Sequence, residues 1–141
     1  MLKKVDHLGI AVAELDSAVE KYRTITGKEP SHQEVLHGQR VATVFFSVGE
    51  VRLELLKGTH PDSSISKFVE KRGEGIHHIC FEVDDLEKAV EAMSKLGLQF
   101  IEQASGKGAG DSKVAFIHPK STRGILMELV EYPKSDKYSK S

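Results

Sequence analysis

Four residues in this 141-residue chain form a set that could do chemistry: His7, Glu54, His78 and Glu128. The histidines are 71 positions apart and the glutamates 74, so each half of the chain supplies one imidazole and one carboxylate. Borderline divalent ions (Zn2+, Co2+, Ni2+ or Mn2+) favour such a mixture of nitrogen and oxygen donors, and positions left open to water or substrate would make the centre catalytic. Each carboxylate stands between apolar neighbours, Leu53 and Leu55 around Glu54, Met127 and Leu129 around Glu128. A carboxylate buried in such a strand is costly unless it is paired or bound to a metal. Taken singly, any of the four reads as an ordinary sheet residue, facing solvent or satisfied within the sheet. Their recurrence at equivalent places favours one divalent metal ion.

The elements that must position them follow from that recurrence. Sliding the sequence over itself by 71 places residues 7–20 on 78–91, with His7/His78, Val12/Val83, Leu15/Leu86, Ala18/Ala89, Val19/Val90 and Glu20/Glu91 identical. The same offset sets Phe45 on Phe116, and after a three-residue insertion within 119–124, residues 51–55 fall on 125–129. Each copy opens with a strand of period two (Leu8, Ile10, Val12; Ile79, Phe81, Val83). A helix of period 3.6 follows (Leu15, Ala18, Val19, Tyr22, Ile25; Leu86, Ala89, Val90, Met93, Leu96). Gly27 and Gly97 suit helix ends, and Asp16 and Asp85 suit helix starts. Three further strands are predicted over 28–36, 41–48 and 51–57, and again over 98–103, 113–118 and 124–131. Gly49-Glu50 reads as a tight hairpin and 119–124 as a longer loop. Residues 63–72 read as a linking helix closed by Gly73, and the tail from Pro133 as polar and frayed.

The predicted fold class is therefore α+β: two tandem βαβββ modules, about 4–60 and 75–132, joined by a linker over 61–74, in one domain 1–141. They form a curved mixed sheet around the metal site. Opposite the helix-facing residues of the first strands lie His7, Gly9 and Ala11, and in the copy His78, Cys80 and Glu82, which outline a cavity. His77 maps onto Asp6 and turns to the helix side or the strand edge, so it is expected to be a bystander. Cys80 reads as a small filler.

Charge narrows the partners. Twenty Lys and Arg against 21 Asp and Glu give a net charge of −1 without blocks of one sign, which argues against nucleic acid or an anionic membrane as the main ligand. No apolar run approaches the ~20 residues of a transmembrane helix. The N-terminal residues read as a strand rather than a targeting segment. One cysteine fits a reducing compartment, and a cytoplasmic protein is expected. The glycine-rich stretch 105–110 is too irregular for a phosphate-binding loop and reads as a flexible connection. Lys120, in His118-Pro119-Lys120-Ser121, is either a point-charge contact for an anionic group of a ligand, or part of an ordinary turn.

Three stretches carry a family resemblance. They are Val5-Asp6-His7-Leu8-Gly9-Ile10-Ala11-Val12, Lys71-Arg72-Gly73-Glu74-Gly75-Ile76-His77-His78-Ile79-Cys80, and Val114-Ala115-Phe116-Ile117-His118-Pro119-Lys120-Ser121 leading into Gly124-Ile125-Leu126-Met127-Glu128-Leu129. Over residues 5–132 the chain resembles the methylmalonyl-CoA epimerases of the vicinal oxygen chelate superfamily. The resemblance implies metal-dependent epimerisation of an acyl-CoA substrate, methylmalonyl-CoA, at C2 through an enolate, in a homodimer. His7, Glu54, His78 and Glu128 match the family's ligand positions, and Glu128 would also act as acid/base catalyst. Some epimerases carry Gln at the second ligand, whereas a His/Glu/His/Glu set also occurs in glyoxalase I enzymes. A lactoylglutathione lyase and a non-enzymatic binding protein of the same fold are thus the alternatives. The His118-Pro119-Lys120 segment and the linker resemble the epimerases. Some epimerases use a second Glu on the strand before the hairpin. Residues 40–46 hold none, which leaves Glu82, Gln39, Thr43 or a water for that role.

Overall fold

The computed structural model describes residues 1–107 and 111–134, with backbone only for 102–107. In chain order the elements are β1 (Lys4–Ala11), α1 (Leu15–Thr26), β2 (His32–Leu36), β3 (Val41–Val48), β4 (Val51–Gly58), α2 (Ser64–Arg72), β5 (Gly75–Glu82), α3 (Leu86–Lys95), β6 (Phe100–Lys107), β7 (Lys113–Ile117) and β8 (Met127–Glu131). This is the α+β order of two βαβββ copies. No described helix is long and apolar enough to cross a membrane.

The chain packs as two compact units, one comprising His7–His78 and the other Met1–Asp6 together with the residues from Ile79 onward. In the first, β3 runs antiparallel to both β2 and β4, and β4 is parallel to β1. In the second, β7 runs antiparallel to β6 and β8, and β8 is parallel to β5. The parallel closing pair is what a βαβββ order produces when the first and last strands become neighbours.

Alternation decides which face each helix covers. Ile10, Val12, Val44, Phe46, Leu53 and Leu55 point to one face of the first unit, beneath Leu15, Ala18, Val19 and Tyr22 of α1. At one end of the opposite face, Ala11, Val41 and Leu56 lie beneath Ile65, Phe68 and Val69 of α2. In the second unit Val83, Ala115, Ile117 and Leu129 pack against Leu86, Ala89 and Met93 of α3. The side chains of Ser63 and Asp85 cap α2 and α3, accepting hydrogen bonds of 3.0 Å from the N–H groups of Ser66 and Lys88.

Three boundaries differ from the sequence reading. The strand predicted from residue 28 begins at His32. The strand predicted from 124 begins at Met127, because the Thr122 hydroxyl takes the Ile125 N–H at 3.1 Å and also bonds the Ile125 carbonyl, holding 122–125 in a turn. Residues 105–107 of the glycine-rich stretch continue β6, and 108–110 lie outside the described residues, as does the tail from 135.

Candidate metal centre

The strand register of the first unit lays out the site as rows. Gly9 on β1, Glu54 on β4, Phe45 on β3 and His32 on β2 are direct neighbours across four strands. The row on one side holds His7 and Arg52, and the row on the other holds Ala11, Leu56, Thr43 and Glu34. All of these side chains share the face opposite α1, since each lies two residues from its row neighbour on the same strand.

Three of the four sequence-predicted ligands come together here. His7 Nε2 is 3.2 Å from Glu54 Oε1 and 3.2 Å from His78 Nε2, and His78 Nε2 is 3.6 Å from the same carboxylate oxygen. The three residues are 6, 5 and 5% exposed. Donor atoms held by one ion at about 2.0–2.1 Å stand about 2.8–3.4 Å apart in octahedral or tetrahedral geometry. Two sides of the triangle, both 3.2 Å, fall in that range and the third, 3.6 Å, is slightly longer, so a small closure would bring the three donors onto one side of a single divalent ion, and the two-nitrogen, one-oxygen set suits the borderline metals.

The surroundings explain how such a polar group survives burial. Desolvation pushes the Glu54 carboxyl up, but the hydrogen bond from His7, the closeness of His78 and their charges outweigh it and hold the carboxyl below its ordinary value. The Phe45 ring meets His7 edge-on, with centroids 5.7 Å apart, and the Arg52 guanidinium stacks 4.3 Å above that ring. Gly9 is required by space: a Cβ there would come within 2.2 Å of His78 Cε1, so only glycine lets the imidazole lie across β1.

Glu128 belongs to the second unit, where it is 8% exposed and lies in register with Cys80 on β5 and Phe116 on β7. Its flanking thus repeats that of Glu54. Lys120 is exposed on a 3-10 turn (Pro119–Ser121) that the His118 ring caps by accepting the Lys120 N–H at 3.0 Å. Cys80 is fully buried with Val114 and Val130.

One residue of this face escapes the sequence reading, and one neighbour of the site lies closer to it than expected. Glu34 lies in the row beside Glu54, and its Oε1 is 2.8 Å from His32 Nε2. The signal for it was the position of β2, the strand before β3; the stretch 40–46 belongs to β3 and the turn leading into it. His77, expected as a bystander, stands with Nδ1 2.9 Å from His78 Nδ1.

A sequence profile of the glyoxalase/bleomycin resistance protein/dioxygenase superfamily matches residues 6–116. The human mitochondrial methylmalonyl-CoA epimerase is 36% identical over 129 residues, covering 91% of this chain and 73% of the human protein. The uncharacterized protein YqjC of Bacillus subtilis is 38% identical over 138 residues, 98% of each chain. A Streptomyces coelicolor methylmalonyl-CoA epimerase variant, solved in complex with 2-nitronate-propionyl-CoA, superposes with a TM-score of 0.89 at 34% identity, over 95% of this chain and 97% of that one. With its paired βαβββ units and near-complete alignment to these enzymes, the chain belongs to the methylmalonyl-CoA epimerase family within the glyoxalase/bleomycin resistance protein/dioxygenase superfamily.

Proposed function

We propose that this chain epimerises methylmalonyl-CoA at C2 by taking a proton from one face of the reacting carbon and returning one to the other. The observation that carries the reading is the buried triangle of His7, Glu54 and His78 donor atoms in a member of the epimerase family. A divalent ion held by these residues, with Glu128 as fourth ligand by equivalence to Glu54, would stabilise negative charge developing beside the reacting carbon, worth several kcal/mol.

The proton transfers fall to the protein's own groups. Carbon acids flanked by a thioester carbonyl and a carboxylate give up the C2 proton to a base only when base and carbon are held together. Glu128 serves one face. For the other we assign Glu34, a carboxylate on the site face whose oxygen is paired to His32. Glu82 is engaged by the Lys3 ammonium at 3.5 Å. The Thr43 hydroxyl is directed at the Glu34 carbonyl, and the Gln39 amide takes up no proton at ordinary pH. Lys120 offers an exposed point charge for the substrate carboxylate or a CoA phosphate. The reading includes a cytoplasmic location, in keeping with one buried thiol, and the homodimer that paired-unit proteins of this kind commonly form.

Incubating one epimer of methylmalonyl-CoA in deuterated water tests the reaction. Deuterium should enter C2 as the other epimer forms. Isomerisation of the methylglyoxal–glutathione hemithioacetal without activity on the CoA ester would overturn the reading in favour of a lyase. Activity on neither would favour a binding protein.

A further inference from the structure

The linker between the two copies reaches into the candidate metal centre through one side chain. Phe68 of α2 meets the His77 ring edge-on with centroids 4.9 Å apart, and the Arg72 guanidinium lies 5.7 Å over Phe68. His77 Nδ1 is in turn 2.9 Å from His78 Nδ1, with the two rings nearly perpendicular at 89°. His78 is therefore held at both ends. Its Nε2 faces His7 and Glu54, its Nδ1 faces His77, and Gly9 leaves room for the ring between them.

Two Nδ1 atoms at hydrogen-bond distance share one proton, so one ring donates and the other accepts. An imidazole can bind an ion through Nε2 only when that nitrogen keeps its lone pair, which in the neutral ring puts the hydrogen on Nδ1. In His78 that hydrogen meets the lone pair of His77 Nδ1, and His77 then carries its own hydrogen on Nε2. The reverse arrangement would put a hydrogen on His78 Nε2, pointing at the other donors, and close that nitrogen to an ion. Outer partners of this kind are usually carboxylates or backbone carbonyls; here the partner is a second imidazole.

We infer that His77 is a positioning residue for the candidate metal centre: it accepts the His78 Nδ1 hydrogen and so fixes both the rotation and the tautomer that turn Nε2 into a ligand. This rests on the reading of His7, Glu54 and His78 as metal ligands. It reverses the expectation that substituting His77 would be a mild change.

Two variants separate acceptance from packing. His77→Asn keeps an acceptor oxygen near the place of Nδ1 but loses the ring. His77→Leu keeps an apolar contact for Phe68 but loses the acceptor. Binding of Co2+ and Zn2+ to each refolded or native variant, by competition with a chromophoric chelator, should be about 10–100-fold weaker in His77→Leu and within a few-fold of wild type in His77→Asn. Long-range 1H–15N NMR of the Zn2+-loaded wild type should show the His78 hydrogen on Nδ1. Wild-type affinity in His77→Leu, equal weakening in both variants, or a hydrogen on His78 Nε2 would each overturn the inference while leaving the metal centre standing. If the wild type binds none of Zn2+, Co2+, Ni2+ or Mn2+, the metal reading itself falls, and this inference with it.

Discussion

The two halves of the chain carry one row of side chains twice and then diverge. In the first half the row is Gly9, Glu54, Phe45 and His32; in the second it is Cys80, Glu128, Phe116 and Ile101. A small residue, a carboxylate and a phenylalanine recur. The next row is not repeated. It reads Ala11, Leu56, Thr43 and Glu34 in the first half and Glu82, Val130, Val114 and Gly106 in the second, so the carboxylate moves from the outer strand β2 to β5. The helices differ as well. Helix α3 has a capping Asp85 and buries Leu86, Ala89 and Met93, while α1 has no side-chain cap and no fully buried residue. The helix of the second half is the more deeply buried, and the first half holds the histidine-rich machinery.

The strongest way to break this comparison is to make the first row read like the second. Gly9→Cys should displace the His78 ring and abolish tight divalent binding, as should His7→Ala and His78→Ala, beyond the ~10–100-fold lost with an outer partner. Metal analysis after gel filtration, with circular dichroism to follow the fold, checks this; full retention of metal in both histidine variants would remove the assignment. Glu128→Gln, which can still coordinate but cannot take a proton, should lower the epimerisation rate about 10²–10⁴-fold even when loaded with metal. An unchanged rate would strike Glu128 from the mechanism.

Stability should divide the other way. Met93→Ala, on the buried face of α3, should cost about 2–5 kcal/mol in denaturant unfolding, and Val19→Ala, half-buried on α1, no more than about 1.5 kcal/mol. Equal costs would erase the difference between the helices. The smallest effect concerns acid. The Glu54 carboxyl is held below its ordinary value of 4.5, so its contribution to metal-free stability is complete above that pH and is lost as pH falls through the depressed folded value. Glu54→Gln should therefore flatten the acid limb of the stability profile below about pH 4.5, measured by urea unfolding at stepped pH.

Where the sequence was legible, two periodicities agreed. The repeat paired His7 with His78 and Glu54 with Glu128, and period two in β1 and β4 put His7 and Glu54 on the face away from α1, where three of the four residues meet. Glu34 was hidden because Ser31-His32-Gln33-Glu34 has no apolar alternation; only its pairing with β3 decides which face it takes. His77 was expected to turn to the helix side or the strand edge as a bystander, yet its ring packs on Phe68 of α2 and reaches its neighbour's Nδ1, and alternation carries no information about contacts between successive side chains. The far end of β6 was missed because its register with β7 shifts between Ile101 and Gly106, an irregularity that breaks the pattern.

Strands β1 and β5 are each divided between the two compact units, and the division of β1 sets an order in time. Residues from His7 onward complete their unit as soon as residue 78 has left the ribosome, but the other unit needs Met1–Asp6, made first, to meet partners made last. The Lys3 N–H bonds the Glu82 carbonyl at 2.8 Å, its ammonium pairs with Glu82 and Asp84, and the Tyr132 hydroxyl donates to Asp6 at 2.7 Å. Closing contacts between residues 6 and 132 spans nearly the whole chain, the kind of long-range pairing that slows folding. Until Tyr132 emerges, the opening residues of β1 lack the partners of their own unit, and the late half of the protein cannot mature without residues from the chain's opening.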